Sequence, residues 1–163
     1  MEIKEKIVKT AQVCYIVAKV FYFLAFAICL AFIVLAIVFP INNTIKEFAP
    51  AEVAVIFSCA ALYVFICIGL LWNVQQLFKN IAQEKSPFSE TVSHYLKKIA
   101  IFILILAVVP AVLASTVVKI VYPATEFNFP IEAGGILAGV VMFLIGMFFK
   151  YGNELQKKDD ETL

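Results

Sequence analysis

Four long stretches without a charged side chain constrain this chain more than any other feature. They cover residues 20–39, 53–72, 99–118 and 133–149, and their side chains are almost all apolar. A helix needs about 20 predominantly apolar residues to cross the hydrocarbon core of a bilayer, and it satisfies its own backbone hydrogen bonds there. The sequence therefore predicts an all-α integral membrane four-helix bundle, a single domain over residues 1–163 with a short tail at residues 150–163.

The overall composition excludes several other classes of protein. Hydrophobic residues make up 63% of the chain, whereas a soluble globular domain has about 45–50%. The 13 basic and 12 acidic side chains nearly cancel, so direct nucleic acid binding is not expected. The four cysteines lie in or beside the apolar stretches, where we expect them to pack as small apolar residues.

The distribution of lysine between the predicted spans indicates how the chain is oriented in the membrane. Short segments rich in lysine stay on the cytoplasmic side. Eleven lysines lie before the first stretch, between the second and third, or after the fourth, and two lie in the other connections. This predicts that the N-terminus, the middle loop and the C-terminus are all cytoplasmic. The first stretch is longer than the core of a signal peptide and is read as an uncleaved helix.

Apolar residues at helical spacing continue past the spans on the side predicted to be cytoplasmic. Val74, Leu77, Phe78 and Ile81 follow the second stretch on one helical face. A second set leads directly into the third stretch and consists of Val92, Tyr95, Leu96 and Ile99. It follows Ser89, which is suited to cap a helix. Ile7, Val8, Ala11 and Tyr15 form a similar stripe before the first. Helices two and three are therefore predicted to extend into the cytoplasm.

The sequence carries little that would support catalysis or cofactor binding. His94 is adjacent to Ser93 and one turn after Glu90, but adjacent helical side chains point away from each other, so a solvated helix face is the better interpretation. No metal-binding or phosphate-binding motif is present, and no Asp, Glu, Lys, Arg or His lies inside a predicted span. We expect no catalytic residues, no metal, no cofactor and no enzymatic activity.

Three residues are candidates for shaping the helix packing. Gly135 and Gly139 form a G-x-x-x-G pair in the fourth stretch, which permits close helix approach. Packing within the bundle and packing across a homodimer both remain open for this pair. Pro110 lies in the middle of the third stretch, where it is expected to kink the helix and free a carbonyl group. Gly152, after the fourth stretch, is a candidate C-cap.

Two short cytoplasmic segments carry a family resemblance. The residues are Leu77, Phe78, Lys79, Asn80, Ile81, Ser86, Pro87, Phe88 and Ser89 in the middle loop, and 149–156 with 160–163 in the tail. They resemble a bacterial four-helix integral membrane family known as domain of unknown function 2975. The resemblance implies a multi-pass protein of the bacterial cytoplasmic membrane without established catalytic residues. It also implies a genetic association with a small helix-turn-helix regulator.

Two functions follow as expectations. The first is a regulatory or accessory membrane protein whose cytoplasmic face binds a protein partner, such as a helix-turn-helix transcription regulator held at the membrane. The residues expected to contact that partner are Lys79, Phe88, Glu154, Gln156 and Asp160. The alternative is a small transport or tolerance subunit that handles an apolar or amphiphilic compound, since the spans are rich in aromatic side chains and free of charge.

Overall fold

A computed structural model of the chain describes residues 2–42, 50–84, 89–121 and 131–161. These residues form four helices: α1 (Glu2–Asn42), α2 (Pro50–Glu84), α3 (Glu90–Val121) and α4 (Ala133–Glu161). Each helix is long and apolar enough to cross a membrane. The all-α, four-helix membrane fold predicted from the sequence is thereby confirmed.

Consecutive helices run antiparallel. The side-chain amide of Gln75 in α2 donates to the carbonyl oxygen of Ala18 in α1, while Phe39 and Phe57 stack at 5.4 Å near the other ends of these helices. We call the end that holds the start of α1, the end of α2, the start of α3 and the end of α4 the proximal end. The opposite end, with the α1–α2 and α3–α4 connections, is the distal end.

The helices pack in chain order. Helix α1 contacts α2, α2 contacts α3, and α3 contacts α4. Among the described residues, no Cα atom of α1 lies within 8 Å of α3 or α4, nor any of α2 within 8 Å of α4. The four helices therefore form a row in which α1 and α4 each have one neighbour. Their outward faces expose apolar side chains suited to lipid, for example Phe21 and Phe23 on α1, and Leu137 and Phe148 on α4.

All four helices extend well beyond the uncharged stretches at the proximal end. The shortest, α4, has 29 residues and is about 43 Å long at 1.5 Å per residue, compared with about 30 Å for the hydrocarbon core. The proximal extensions are residues 2–19, 73–84, 90–98 and 150–161. The predicted extension of helices two and three past the apolar spans is confirmed, and α1 and α4 extend as well.

Apolar residues in the proximal extensions of α2 and α3 form a buried hydrophobic cluster that continues into the span of α3. Leu77 of α2 packs against Val92, Leu96 and Ile99 of α3, and all four are buried. Half-buried side chains of α2, α3 and α4 surround them: Leu70, Val74, Ile81, Tyr95, Ile103, Met142 and Phe149. The predicted stripes through Leu77 of α2 and Val92 of α3 thus face the interior. They hold the proximal extensions of α2 and α3 together, with α4 against them.

Helix α4 approaches α3 closely through its glycines. A Cβ atom added at Gly135 would lie 2.9 Å from the Cβ of Ala107, and one added at Gly139 would lie 2.7 Å from the side chain of Leu104. Further along, Gly146 lies against Lys97. Both residues of the G-x-x-x-G pair therefore lie at the contact between α3 and α4 within one chain.

Local signals at the helix ends account for some of the boundaries. The Ser89 hydroxyl accepts a hydrogen bond from the Val92 backbone N–H at 3.2 Å, so Ser89 caps α3 as its sequence position predicts. The expectation that Gly152 ends the fourth helix is wrong, because α4 continues through it to Glu161. A helical glycine costs only about 1 kcal/mol relative to alanine, and it does not stop a helix by itself.

Candidate partner-binding face at the proximal end

The proximal end presents charged side chains on the surface of the packed extensions. Lys79 is exposed on α2. On α4, Glu154 is exposed and its carboxylate lies 3.6 Å from the Lys150 ammonium, one turn earlier. Gln156 and Asp160, which are predicted to contact the partner, lie in the same helical extension, but nothing is described of their side chains. Phe88, predicted for the same role, lies outside the described residues.

A second ion pair joins α3 to α4 at this end. The Lys157 ammonium lies 3.6 Å from a carboxylate oxygen of Glu90, and both side chains are well exposed. Exposed pairs of this kind contribute about 0–1 kcal/mol, because water and salt screen them. The pair therefore contributes little to holding α3 against α4, and the buried contacts between the two helices position these residues.

A polar cleft of about 200 Å³ lies between the start of α3 and the end of α4. Its lining residues are Glu90, Ser93, His94, Lys97 and Lys150. Ser93 is buried, and its hydroxyl donates a 2.7 Å hydrogen bond to the Gly146 carbonyl oxygen. His94 is exposed, as predicted for a solvated helix face. Because the Ser93 hydroxyl is bound to α4, Ser93 and His94 do not form a nucleophile–base pair.

Two polar side chains of α2 are buried where the uncharged stretch ends. The Asn73 amide donates to the Gly69 carbonyl oxygen of its own helix at 2.7 Å. The Gln75 amide donates to Ala18 of α1 at 3.4 Å, and this bond crosses between helices. Such bonds satisfy polar groups that would otherwise be costly to bury, and the Gln75 bond links α2 to α1 at this depth.

At the distal end, α2 and α3 leave two open clefts between them. One has a volume of about 230 Å³ and is lined by Tyr63, Pro110 and Glu132 together with Cys59, Leu106 and three alanines. The other, of about 330 Å³, is almost entirely apolar, and Cys59 lines both. Pro110 is inside the continuous helix α3. At the mouth of the first cleft, the Glu132 backbone N–H donates to the Ala107 carbonyl oxygen at 3.4 Å.

The four cysteines are free thiols, with Cys29 buried and the others half-buried. In the described parts of the chain, no three histidine, cysteine, aspartate or glutamate side chains converge as a metal site. The Cys29 thiol lies 3.6 Å from the Ala61 carbonyl oxygen, within the contact of α1 and α2. The Cys29 thiol therefore packs between helices.

Sequence reasoning did not identify the α3 surface that receives the glycines of α4. Buried small residues recur there every seven positions, which keeps them on nearly one helical face: Ser93, Ala100, Ala107 and Ala114. Ser93, Ala100 and Ala107 each contact α4, whereas Ala114 lines the distal cleft. A search of the third apolar stretch for small residues at this spacing would have found the set.

Comparison with known proteins adds no relative for this chain. No protein-family model matches it, and no match was found among curated proteins or solved structures. The class of protein is therefore defined by the fold, as a four-helix multi-pass membrane protein. The resemblance to domain of unknown function 2975 stays a prediction.

Proposed function

We propose that the chain is a non-enzymatic regulatory or accessory protein of the bacterial cytoplasmic membrane, and that its proximal end binds a cytoplasmic protein. Both termini then lie in the cytoplasm, as the lysine distribution indicates. The candidate partner is a small helix-turn-helix transcription regulator, which the family resemblance suggests. DNA would be contacted by that regulator and not by this chain.

The observation that carries the proposal is the packed extension of all four helices past the apolar spans. A protein that only anchors itself in lipid needs about 20 residues per span, yet each helix continues for two turns or more at the proximal end. The buried cluster around Leu77 and Val92 holds α2 and α3 together there. This supports a surface of fixed shape, which lowers the entropic cost of binding a partner.

Charged residues on this surface supply candidates for recognition. Lys79 on α2 and Glu154 on α4 are exposed and do not contribute to the buried cluster. Charges at the rim of an interface act mainly on the association rate and on the choice of partner. We assign partner contact to Lys79 and Glu154, and to Phe88, Gln156 and Asp160 from their sequence positions.

Site-specific photocrosslinking in living cells tests this proposal. A photoreactive amino acid is introduced at Lys79 or Glu154 of the full-length chain, and at Lys119, near the distal end of α3, as the control. We expect a discrete adduct with a cytoplasmic protein from the two proximal positions and none from position 119. Equal adducts at all three positions, or none at the proximal ones, would overturn the proposal.

The identity of the partner needs a second readout. Lys79→Ala combined with Glu154→Ala should reduce the adduct formed from a neighbouring proximal position, such as Gln83 on α2, and should change expression of genes that the regulator controls. An unchanged adduct would exclude these two side chains from the interface. An adduct whose protein lacks a helix-turn-helix domain would contradict the choice of partner class.

The distal clefts support a second candidate function, that of a small transport or tolerance subunit for an apolar or amphiphilic compound. The larger cleft is lined almost entirely by apolar side chains, and the lining of the smaller includes Tyr63 and Glu132. Apolar walls with a few polar groups are typical of small-molecule sites.

Filling the smaller cleft tests this function. Ala111→Phe places a large side chain in the lining of that cleft, whereas Ala27→Phe changes an exposed position on α1. In a deletion strain, we expect the Ala27→Phe chain but not the Ala111→Phe chain to restore tolerance to membrane-active compounds. A deletion strain with unchanged tolerance would count against this candidate.

A further inference from the structure

The polar cleft between α3 and α4 lies at the boundary of the apolar spans. Lys97 lies two residues before the uncharged stretch of α3, and Lys150 directly follows that of α4. Both lysines line the cleft, together with Glu90, Ser93 and His94. Because α3 and α4 run antiparallel, the boundaries of their two spans meet at one depth. That depth is where phospholipid headgroups lie.

The close approach of α4 to α3 holds one of these lysines in place. A Cβ atom at Gly146 would lie 3.1 Å from Cγ of Lys97, so the missing side chain at position 146 makes room for the lysine stem. The Ser93 hydroxyl binds the Gly146 carbonyl oxygen one turn away. A lysine stem packed on apolar surface leaves its ammonium group at the headgroup level.

The charge balance of the cleft favours an anion. Glu90, the acidic group in its lining, pairs with Lys157 at 3.6 Å, and Glu154 pairs with Lys150 at the same distance. Both distances exceed the roughly 2.7–2.9 Å of a charge-assisted hydrogen bond. No carboxylate of the described residues lies within 4.0 Å of the Lys97 ammonium. The lysines of the cleft therefore retain capacity to bind phosphate oxygens.

Apolar surface for acyl chains continues from the cleft toward the distal end. Ile101 lies one turn from Lys97 on α3, and Met147 and Phe143 lie one and two turns from Lys150 on α4. All three side chains are exposed. A phospholipid whose phosphate group lies in the cleft would thus have apolar surface beside it for its acyl chains. A soluble phosphate compound has no acyl chain that needs such a surface.

We propose that this cleft binds the phosphate headgroup of an anionic phospholipid, with Lys97 and Lys150 as the groups that contact it. Basic pockets between transmembrane helices are suited to such headgroups. The site does not depend on the protein partner proposed above. It defines a lipid contact more specific than the general contact of apolar helices with the bilayer.

Lipid titration of the purified full-length chain tests the proposal. Binding of phosphatidylglycerol and of phosphatidylcholine is measured by native mass spectrometry from detergent. Lys97→Met combined with Lys150→Met removes both charges and keeps an unbranched side chain that is one heavy atom shorter. The matched control is Lys79→Met with Lys98→Met, which removes two exposed charges outside the cleft; the Lys98 ammonium lies 5.6 Å from the centre of the Tyr95 ring.

We expect the unmodified chain and the control to bind phosphatidylglycerol in preference to phosphatidylcholine. A lysine near an anionic lipid surface contributes about fivefold in affinity, so the Lys97/Lys150 variant should lose this preference by on the order of tenfold or more. An equal loss in the control would show general attraction to basic surface and overturn the proposal. Displacement of phosphatidylglycerol from the unmodified chain by millimolar inorganic phosphate would also overturn the proposal, in favour of a soluble ligand.

Lys150→Met alone provides a second variant, since the Lys150 side chain is half-exposed and its removal leaves the contact at Gly146 intact. We expect a loss of about fivefold in the preference for phosphatidylglycerol. Unchanged preference in this variant would exclude Lys150 from the site and overturn the proposal.

Discussion

Ser93 of α3 donates a buried 2.7 Å hydrogen bond to the carbonyl oxygen of Gly146 in α4. Ser93→Ala removes this bond between helices and keeps the small volume that the contact requires. We expect a loss of about 0.5–1.5 kcal/mol in the free energy of unfolding, measured by denaturant titration in mixed micelles. Thr116→Ala, at an exposed hydroxyl bonded within its own helix, is the control and should lose less. Equal losses would contradict a specific role for the Ser93 bond.

Two adjacent glycines of α4 should respond differently to the same substitution. Gly135→Ala places a Cβ atom 2.9 Å from the Cβ of Ala107, which cannot move without its backbone, so we expect a loss of about 1–3 kcal/mol in stability. Gly134→Ala meets nothing within 4 Å and should be neutral or slightly stabilising. Thermal unfolding of the two variants in detergent compares them directly. A neutral Gly135→Ala would contradict the close contact.

Gln75 should not tolerate a charge. Gln75→Glu would bury a carboxylate 3.4 Å from the Ala18 carbonyl oxygen, where the amide now donates, and we expect a loss of about 2 kcal/mol or more at pH 7. Burial raises the pKa of a carboxyl group in the folded state. Stability should therefore recover as the pH falls and the group is protonated, and decline as the pH rises through that pKa.

The control for this charge is Gln83→Glu, at an exposed position near the end of α2. Its stability should stay within about 0.5 kcal/mol of the unmodified chain, as for most surface substitutions. Unfolding measured from pH 5 to pH 8 separates the two variants. The same pH profile in both would show that position 75 is not buried against α1.

Glu154→Ala should leave the fold unchanged. Its carboxylate pairs with Lys150 at 3.6 Å, and both side chains are about half-exposed, so the expected change in unfolding free energy is below about 0.5 kcal/mol. Circular dichroism and thermal unfolding of the purified variant measure it. A larger loss would mean that any effect of this substitution on partner binding reflects the fold and not a lost contact.

The sequence by itself determined the four helices, their antiparallel order and the proximal extensions of α2 and α3, but not that of α4, where it predicted a short tail. Length of apolar sequence, helical spacing as in the stripe through Leu77, and the capping position of Ser89 are local properties, and they act before any helix meets another. It also marked the G-x-x-x-G pair of Gly135 and Gly139. The resemblance-based residues were harder to place, since Phe88 lies outside the described residues.

Only the tertiary structure decided which of several equivalent residues face a neighbouring helix. Gly134 and Gly135 have the same local chemistry, yet the rotation of α4 puts only Gly135 against Ala107. Gln75 is buried beside α1 while Lys79, one turn later, is exposed, and Lys97 and Lys150 meet in one cleft. Rotation and register depend on how side chains of two helices interdigitate, and no single stretch of sequence contains that information.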